Sequence, residues 1–410
     1  MWELIQSNKR KSLILFLAMG IILLLLGYFI GGMFLGTNGG GELGVFFALL
    51  IWAVVSLVSY FAGSSIMLSV SRAKEVTKEV HPQLFNIVEE MKIASALPKI
   101  PKIFIINEEA PNAFATGRSP ENCAVTVTAG LLSRLNRDEL QGVIAHEMSH
   151  IKNRDILYMT FAGVMLGTIV IVSEVFLRGL WFGGGSLNRY KNRSSGGGSG
   201  QAVIAIAALV LAILAPILAR LLYFAISRKR EYLADASGVR LTRYPEGLAS
   251  ALEKLADNRL DLRAANKATA GMYIVNPLKK KGMKLSDLTS THPPISERVR
   301  ILRNMSQGAG YMDYQNAYMK VKHKTERLIP NSVLDSNEKV TIRDTSVSKE
   351  TIDKKNYRRN LGDLVMNVNG YSFVHCVCGL TLKIPPTYKK SEIKCPRCGR
   401  INKVPPRNKL

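Results

Sequence analysis

The 410-residue sequence predicts a mostly α-helical integral membrane protein with two transmembrane helical hairpins, a small α+β domain and a cysteine-rich C-terminal module. Three observations predict this fold class. Four long apolar runs are each able to cross a bilayer, the sequence HEMSH at 146–150 lies between the second and third runs, and two cysteine pairs follow residue 375.

The composition excludes several classes of protein. Apolar residues make up 47% of the chain and charged residues 21%, which is too apolar for a disordered protein. Four of the five cysteines crowd near the C-terminus, which argues against a secreted disulfide scaffold. The formal net charge of +24 suits contact with an anionic lipid surface or with nucleic acid, and charge alone does not separate the two.

The apolar runs cover residues 12–35, 43–68, 156–177 and 202–226. At a rise of about 1.5 Å per residue, each exceeds the roughly 30 Å core of a bilayer. Pro216 and Arg220 weaken the signal of the fourth run. The runs therefore predict two transmembrane hairpins.

Flanking charge predicts the orientation of these hairpins. The outer ends of the first hairpin are basic and its turn is not; the basic residues are Lys9, Arg10, Lys11, Arg72, Lys74 and Lys78. Both ends should therefore face the cytoplasm. The loop of the second hairpin also holds Arg189, Lys191 and Arg193, so this hairpin either crosses fully, which we favour, or only dips into the membrane.

Between the hairpins, the sequence predicts a helix that carries a metal site. Asn136 can cap the helix, and Glu139 completes a capping box three residues later. His146 and His150 are then four residues apart, so both imidazoles project from one face and can bind one metal ion. Glu147 lies beside them, within reach of a water molecule at the metal. This is the zincin arrangement.

A catalytic zinc ion needs a third protein ligand and an open position. Glu231 and Asp235 follow the fourth apolar run and lie one helical turn apart. Glu231 is the natural third ligand, and Asp235 can accept the second ring N–H of a ligand histidine. Spacing alone leaves open an ordinary, solvated helix start.

The segments 112–117 (NAFATG), 124–132 (AVTVTAGLL) and 143–150 (VIAHEMSH) resemble the HtpX family of membrane zinc metalloproteases, relatives of the CAAX prenyl endopeptidases. The family's Glu-x-x-x-Asp motif matches Glu231 and Asp235, and its late His-Pro loop matches 291–294 (THPP). The resemblance covers roughly residues 1–305.

The resemblance implies a cytoplasmic gluzincin catalytic domain that holds one catalytic Zn²⁺ through His146, His150 and Glu231. It also implies that Glu147 is the general base and later the acid, and that Asp235 supports a ligand histidine. Arg298 is expected to pair with Asp235, and His292 to steady the tetrahedral intermediate. The other interpretation of His292 is a helix-capping loop residue.

Two β-branched segments are candidates for a strand that pairs with an extended substrate. The first is 102–107 (KIFIIN). The second, which we favour, consists of Ala124, Val125, Thr126, Val127 and Thr128. An ordinary core strand is the alternative for either segment.

The C-terminal cysteines predict a zinc ribbon with one structural Zn²⁺, bound by Cys376, Cys378, Cys395 and Cys398. The first pair has one intervening residue instead of two, so His375 could replace one cysteine. A redox dithiol pair is the rival interpretation. The ribbon's many lysines and arginines could meet an acidic partner, acidic lipid or nucleic acid.

These predictions divide the chain into a transmembrane hairpin (1–71), a first catalytic part (72–155), a second hairpin (156–226), a second catalytic part (227–310), a linker (311–368) and a zinc ribbon (369–404). The resemblance implies a multi-pass plasma-membrane endopeptidase, and the flanking charges predict that both termini are cytoplasmic. Its expected partners are membrane lipid and its substrates, which are peptides and damaged or misfolded membrane proteins. The alternatives are a CAAX-type prenyl endopeptidase and a membrane-anchored ribbon module that binds a partner.

Overall fold

The computed structural model of the chain describes residues 2–36, 39–182, 199–257, 260, 262, 272–275, 292–305, 308–323, 327–334, 340–344 and 354–405. The basic residues of the second hairpin's loop, Arg189, Lys191 and Arg193, lie outside the described residues. Their bearing on the crossing of that hairpin therefore stays a prediction.

The elements of the membrane-proximal two thirds are, in chain order, α1 (Trp2–Leu35), α2 (Gly40–Val70), β1 (Ala73–Glu75), α3 (Pro82–Ser95), β2 (Lys102–Ile106), β3 (Ala113–Ser119), β4 (Asn122–Thr128), α4 (Ala129–Arg134), α5 (Arg137–Lys152), α6 (Asp155–Phe182), α7 (Ser199–Thr242) and α8 (Pro245–Ala256). The C-terminal third contains α9 (Ile295–Arg303), α10 (Tyr311–Lys322), a 3₁₀ turn (Asn331–Val333), α11 (Lys354–Val368), β5 (Ser372–His375), β6 (Thr381–Ile384), β7 (Glu392–Lys394) and β8 (Ile401–Lys403).

Four of these helices are long and apolar enough to cross a membrane, as the sequence predicts. Their candidate spans are Leu13–Leu35 in α1, Gly40–Val70 in α2, Asp155–Leu180 in α6 and Ala202–Leu222 in α7. The large apolar side chains that remain exposed in the protein lie mainly on these four helices. Many exposed large apolar side chains on the same long helices are typical of contact with lipid.

Helix α7 connects the membrane part to the catalytic part. It is 44 residues long, which corresponds to about 66 Å, whereas its apolar span covers only 21 residues. The helix therefore continues well beyond the span, and this extension carries Glu231 and Asp235. The buried extension contributes Tyr232, Leu233 and Ala236 to the same apolar core as helix α5.

A four-stranded sheet of order β1-β2-β4-β3 lies in the catalytic part. Strands β2 and β4 are parallel, and the outer strands β1 and β3 pair antiparallel with their neighbours. Strand β3 is thus an edge strand, and β4 is interior. The α/β character of this part agrees with the predicted fold class.

Residues 311–368, expected to be a linker, contain two packed helices. Helix α10 buries Tyr311, Tyr314 and Tyr318 in the main core, and α11 contributes the buried Val368. The backbone N–H of Arg343 donates to the Arg243 carbonyl at 2.8 Å, and the Arg343 side chain donates to Asp138 at 2.6 Å. Tyr311, Tyr314 and Tyr318 recur at helical spacing, a signal of a buried helix face that the linker assignment overlooked.

Candidate metal centre

Helix α5 begins at the predicted capping box. The Asn136 side chain accepts from the Glu139 backbone N–H at 2.9 Å, and the Glu139 carboxylate accepts from the Asn136 backbone N–H at the same distance. Both groups satisfy backbone donors that a helix start leaves without partners. The residues from Leu140 to Ile151 are all buried, so α5 is a core helix that holds its histidines rigidly.

The structure brings together the three predicted ligands. The Nε2 atoms of His146 and His150 are 3.3 Å apart. The carboxylate oxygens of Glu231 lie 3.6 Å from His146 Nε2 and 3.5 Å from His150 Nε2. Gly238 permits this approach of α7 to α5, because a Cβ atom at that position would lie only 3.1 Å from the backbone nitrogen of His146.

This group of side chains fits a zinc ion. Two imidazoles and one carboxylate are the ligand set of several catalytic zinc sites, and one donor atom from each lies within 4.8 Å of the others. Glu231 Oε2 is buried and has no hydrogen-bond partner within the described residues. A buried carboxylate oxygen of this kind is stabilised by a cation at the same point.

Carboxylates also face the outer ring nitrogens of both histidines. Asp235 Oδ1 lies 2.9 Å from His146 Nδ1, as predicted. Asp155 Oδ2 lies 3.3 Å from His150 Nδ1, a contact that the sequence analysis missed. The signal was present, since Asp155 is a carboxylate at the head of an apolar helix and five residues after His150. Such partners fix the tautomer and the ring orientation of metal ligands.

Arg298 completes the support of His146. It is fully buried, and its Nε and Nη2 donate to the two Asp235 oxygens at 2.8 and 2.6 Å. Its Nη1 lies 3.3 Å from the Ile274 carbonyl oxygen and 3.6 Å from Glu231 Oε2. Burial of Asp235 favours its neutral form, but the Arg298 charge outweighs burial and lowers the pKa of the carboxyl. The Arg298–Asp235 pair stands where the resemblance places it.

The imidazoles differ in their electrostatic surroundings. Burial opposes protonation of His146, yet the carboxylates of Asp235 and Glu231 outweigh burial and raise its pKa to about 9. For His292, burial dominates, aided by the nearby Arg298 charge, and lowers its pKa to about 4. His292 Nε2 lies 3.6 Å from Glu231 Oε2, so a neutral imidazole stands beside the three ligands.

Glu147 is 1% exposed and lies one residue from His146 on α5. Burial raises the pKa of Glu147, against the effect of the two neighbouring histidines. A backbone hydrogen bond with Ala115 opposes this rise. Ala115 belongs to the edge strand β3, so the carboxylate is held between the ligand helix and the edge of the sheet.

The structure overturns the choice of Ala124, Val125, Thr126, Val127 and Thr128 as a substrate-binding strand. These residues lie in β4, which pairs with β2 on one side and β3 on the other. Its backbone groups are used by both neighbours, so no extended peptide can pair with it. The rival segment, β2, is likewise paired on both sides. In the described sheet, β3 is the edge strand beside Glu147.

A second cluster of possible metal ligands lies in the C-terminal module. The Sγ atoms of Cys376 and Cys398 are 3.5 Å apart, and those of Cys378 and Cys395 are 3.6 Å apart. Thiolates around a tetrahedral zinc ion at about 2.3 Å are separated by roughly 3.8 Å, which fits these distances. His375 instead places its Nδ1 3.1 Å from Thr381 Oγ1 and is absent from the sulfur cluster.

The glycines after each cysteine pair adopt the conformation that such a site requires. Gly379 has φ 82° and Gly399 has φ 75°, in the left-handed region that side chains disfavour. Their backbone N–H groups donate to the carbonyl oxygens of Cys376 and Cys395, both at 2.9 Å. These turns fold the chain tightly around the sulfur atoms.

Comparison with known proteins gives a consistent result. The model of peptidase family M48 matches residues 77–306. The chain is 45% identical over 306 residues to a protease HtpX homolog of Dictyoglomus turgidum, covering 75% of this chain and 95% of that protein. It is 42% identical over 308 residues to a protease HtpX homolog of Listeria monocytogenes, covering 74% of this chain and all of that protein.

Among solved structures, the crystal structure of S. mikatae Ste24p matches with a TM-score of 0.39 and 20% identity, covering 74% of this chain and 67% of that one. The matches to the family and to both relatives include α5 and the extension of α7. The family match ends at residue 306, so the ribbon lies beyond it.

Proposed function

The chain belongs to peptidase family M48 and is a membrane zinc metalloprotease, and on that premise we propose that it cuts damaged or misfolded membrane proteins on the cytoplasmic side of the plasma membrane. The observation that carries the assignment of the site is the convergence of His146, His150 and Glu231 within 4.8 Å. The basic flanks of the first hairpin support the orientation. The substrate class is supported by the likeness to HtpX homologs alone.

The zinc ligands and Glu147 would have separate roles in peptide hydrolysis. His146, His150 and Glu231 hold the zinc ion, which when bound supplies Lewis acidity to a water molecule and to the scissile carbonyl. Glu147 accepts the water proton on its carboxylate and returns it to the leaving amine. Burial raises the pKa of Glu147, which makes the carboxylate a stronger acceptor for the water proton than an exposed glutamate would be.

His292 and Arg298 are positioned to stabilise negative charge. Both lie 3.6 Å from Glu231 Oε2, and both side chains are almost wholly buried. In such a setting, hydrogen-bond donors act strongly on charge that develops during a reaction. Since Arg298 is already engaged by Asp235, we assign His292 the more direct role and Arg298 the task of positioning Asp235.

We assign substrate binding to the edge of β3 instead of β4. The Ala113 carbonyl accepts from the Ile274 backbone N–H at 2.9 Å, so the outer edge of β3 already accepts a backbone donor at its first residue. Ala115 presents its backbone to Glu147 from the same edge. A peptide that adds to this edge would thus lie directly beside the proposed base, held by main-chain hydrogen bonds.

The ribbon would hold the second zinc ion. Its buried apolar side chains are few, with Leu382 packed beside Cys376 and Cys395. A module of this size gains little stability from apolar burial, so metal binding would supply much of its folding energy. Acidic lipid, an acidic protein and nucleic acid all remain partners that its basic surface could bind.

The decisive experiment is Glu147→Gln. The variant should keep its zinc, because residue 147 is not a ligand, and should lose casein cleavage by about 10²–10⁴-fold, as expected for loss of a general base. Glu89→Gln, on the exposed face of α3, is the matched control and should cleave normally.

Full activity of Glu147→Gln would refute the mechanism. Cleavage by the wild-type protein that a chelator does not stop would refute the metal assignment. A complete lack of cleavage in every detergent would favour the binding-module alternative.

A further inference from the structure

A groove of about 400 Å³ lies where the catalytic part meets the membrane helices. Three elements line it: α1 around the start of its apolar span, the first turns of α6, and the turn that joins β3 to β4. Leu13 and Phe16 come from α1, and Leu157 and Phe161 come from α6. The proposed peptidase mechanism makes no use of this groove.

The groove lies at the boundary of the apolar spans. The span of α1 begins at Leu13 and that of α6 at Asp155, so both helices enter the membrane at this end. The rings of Phe16 and Phe161 are 5.5 Å apart in an edge-to-face contact, which places the starts of the two apolar spans side by side. Apolar side chains at this depth face acyl chains, whereas residues just before them face head groups.

Basic residues line the outer end of the groove. Lys9 precedes the α1 span by one turn, Arg154 directly precedes the α6 span, and Arg118 projects from the end of β3. All three side chains are exposed, and Arg118 lies 5.8 Å from the centre of the Tyr60 ring. Among the described residues that line the groove, none carries a carboxylate.

The nearest acidic groups do not cancel this charge. Asp155 is turned inward, with its oxygens 3.3 Å from His150 Nδ1 and 3.9 Å from Arg230 Nε. Glu121 lies in the β3–β4 turn, and a hydrogen bond with Ser119, together with the nearby Arg154 charge, lowers its pKa. Of these two carboxylates, only Glu121 is exposed, and it faces the three cations Lys9, Arg118 and Arg154.

We propose that this groove binds one anionic phospholipid. Its phosphate would lie among Lys9, Arg118 and Arg154, and one acyl chain would run along Leu13 and Phe161. An apolar floor beneath a cationic rim is complementary to a lipid anion, whereas free phosphate would use only the rim. Since the β3–β4 turn forms one wall, the bound lipid would fix the catalytic part against the membrane helices.

The test uses the full-length protein, stripped of lipid in a neutral detergent and examined by native mass spectrometry. Phosphatidylglycerol and phosphatidylcholine with identical acyl chains are titrated in parallel. The variant Arg118→Gln/Arg154→Gln removes two cations, and Arg300→Gln, an exposed arginine of α9 away from the groove, is the matched control. Lys9→Gln is a further single variant in case the double variant is not monodisperse.

The wild-type protein and Arg300→Gln should retain one phosphatidylglycerol in clear preference to phosphatidylcholine. Each removed charge should weaken phosphatidylglycerol binding about fivefold, so the double variant should bind it roughly 25-fold less tightly. Equal binding of the two lipids would overturn the proposal, as would unchanged phosphatidylglycerol binding by the variants. If an acidic peptide were added to the same titration and bound in preference to phosphatidylglycerol, that result would also overturn the proposal. The readout is binding, so the result is independent of proteolysis.

Discussion

The buried pair of Arg298 and Asp235 leads to a prediction that separates folding from metal binding. Arg298→Met removes the guanidinium that donates to both Asp235 oxygens at 2.8 and 2.6 Å. Both side chains are 0% exposed, so Asp235 would keep a buried charge with His146 as its remaining partner. Truncating one member of a buried pair costs about 3–5 kcal/mol. We expect the metal-free variant to lose stability of this size.

The double variant Asp235→Asn/Arg298→Met removes the orphaned charge as well. Because the cost of the single variant comes from that charge, the double variant should recover most of the lost stability. It should nevertheless bind zinc about 10–100-fold more weakly than the wild type, since His146 has lost its carboxylate partner. From the single to the double variant, the free energy of unfolding should therefore rise towards the wild-type value, whereas zinc affinity should stay below it.

The assay for stability is thermal unfolding of detergent-solubilised protein in excess EDTA, followed by circular dichroism, so that bound zinc does not contribute. Zinc affinity is measured separately by competition with a chromogenic chelator. Arg303→Met is the control, because Arg303 donates to Glu246 and Glu253 but is 43% exposed. Its loss should cost about 1 kcal/mol or less. A double variant as unstable as Arg298→Met would refute the reasoning.

Three further predictions concern other parts of the protein. Asp155→Asn should weaken zinc binding about 10–100-fold in the same chelator competition, because His150 loses a charged partner; unchanged affinity would show that the contact is not functional. Ala115→Pro should retain zinc but lose cleavage of casein, because proline lacks the N–H that contacts Glu147, and normal cleavage would exclude the β3 edge. Cys378→Ser should lower the zinc content from two ions per chain to about one and expose the C-terminal module to trypsin, with casein cleavage retained.

Much of this protein could be predicted from spacing along the chain. The four apolar runs, the capping box at Asn136 and the placement of His146 and His150 on one helix all depend on residues within a few turns of one another. Such patterns follow from the 3.6-residue period of a helix and from the thickness of a bilayer. The two cysteine pairs of the ribbon are of the same kind, since a short loop brings each pair together.

The tertiary structure alone decided how distant segments meet. Strand order depends on pairing between segments that are far apart in the sequence. For this reason the sequence allowed β4 to be an edge strand, although β2 and β3 pair with it on both sides. The contact of Asp155 with His150 depends on the angle at which α6 leaves α5, which the five-residue spacing of the two side chains does not fix. The packing of α10 and the groove between α1 and α6 likewise arise from contacts between elements. Local periodicity specifies each helix or strand and its apolar face. Which elements then contact one another depends on the packing of the whole chain.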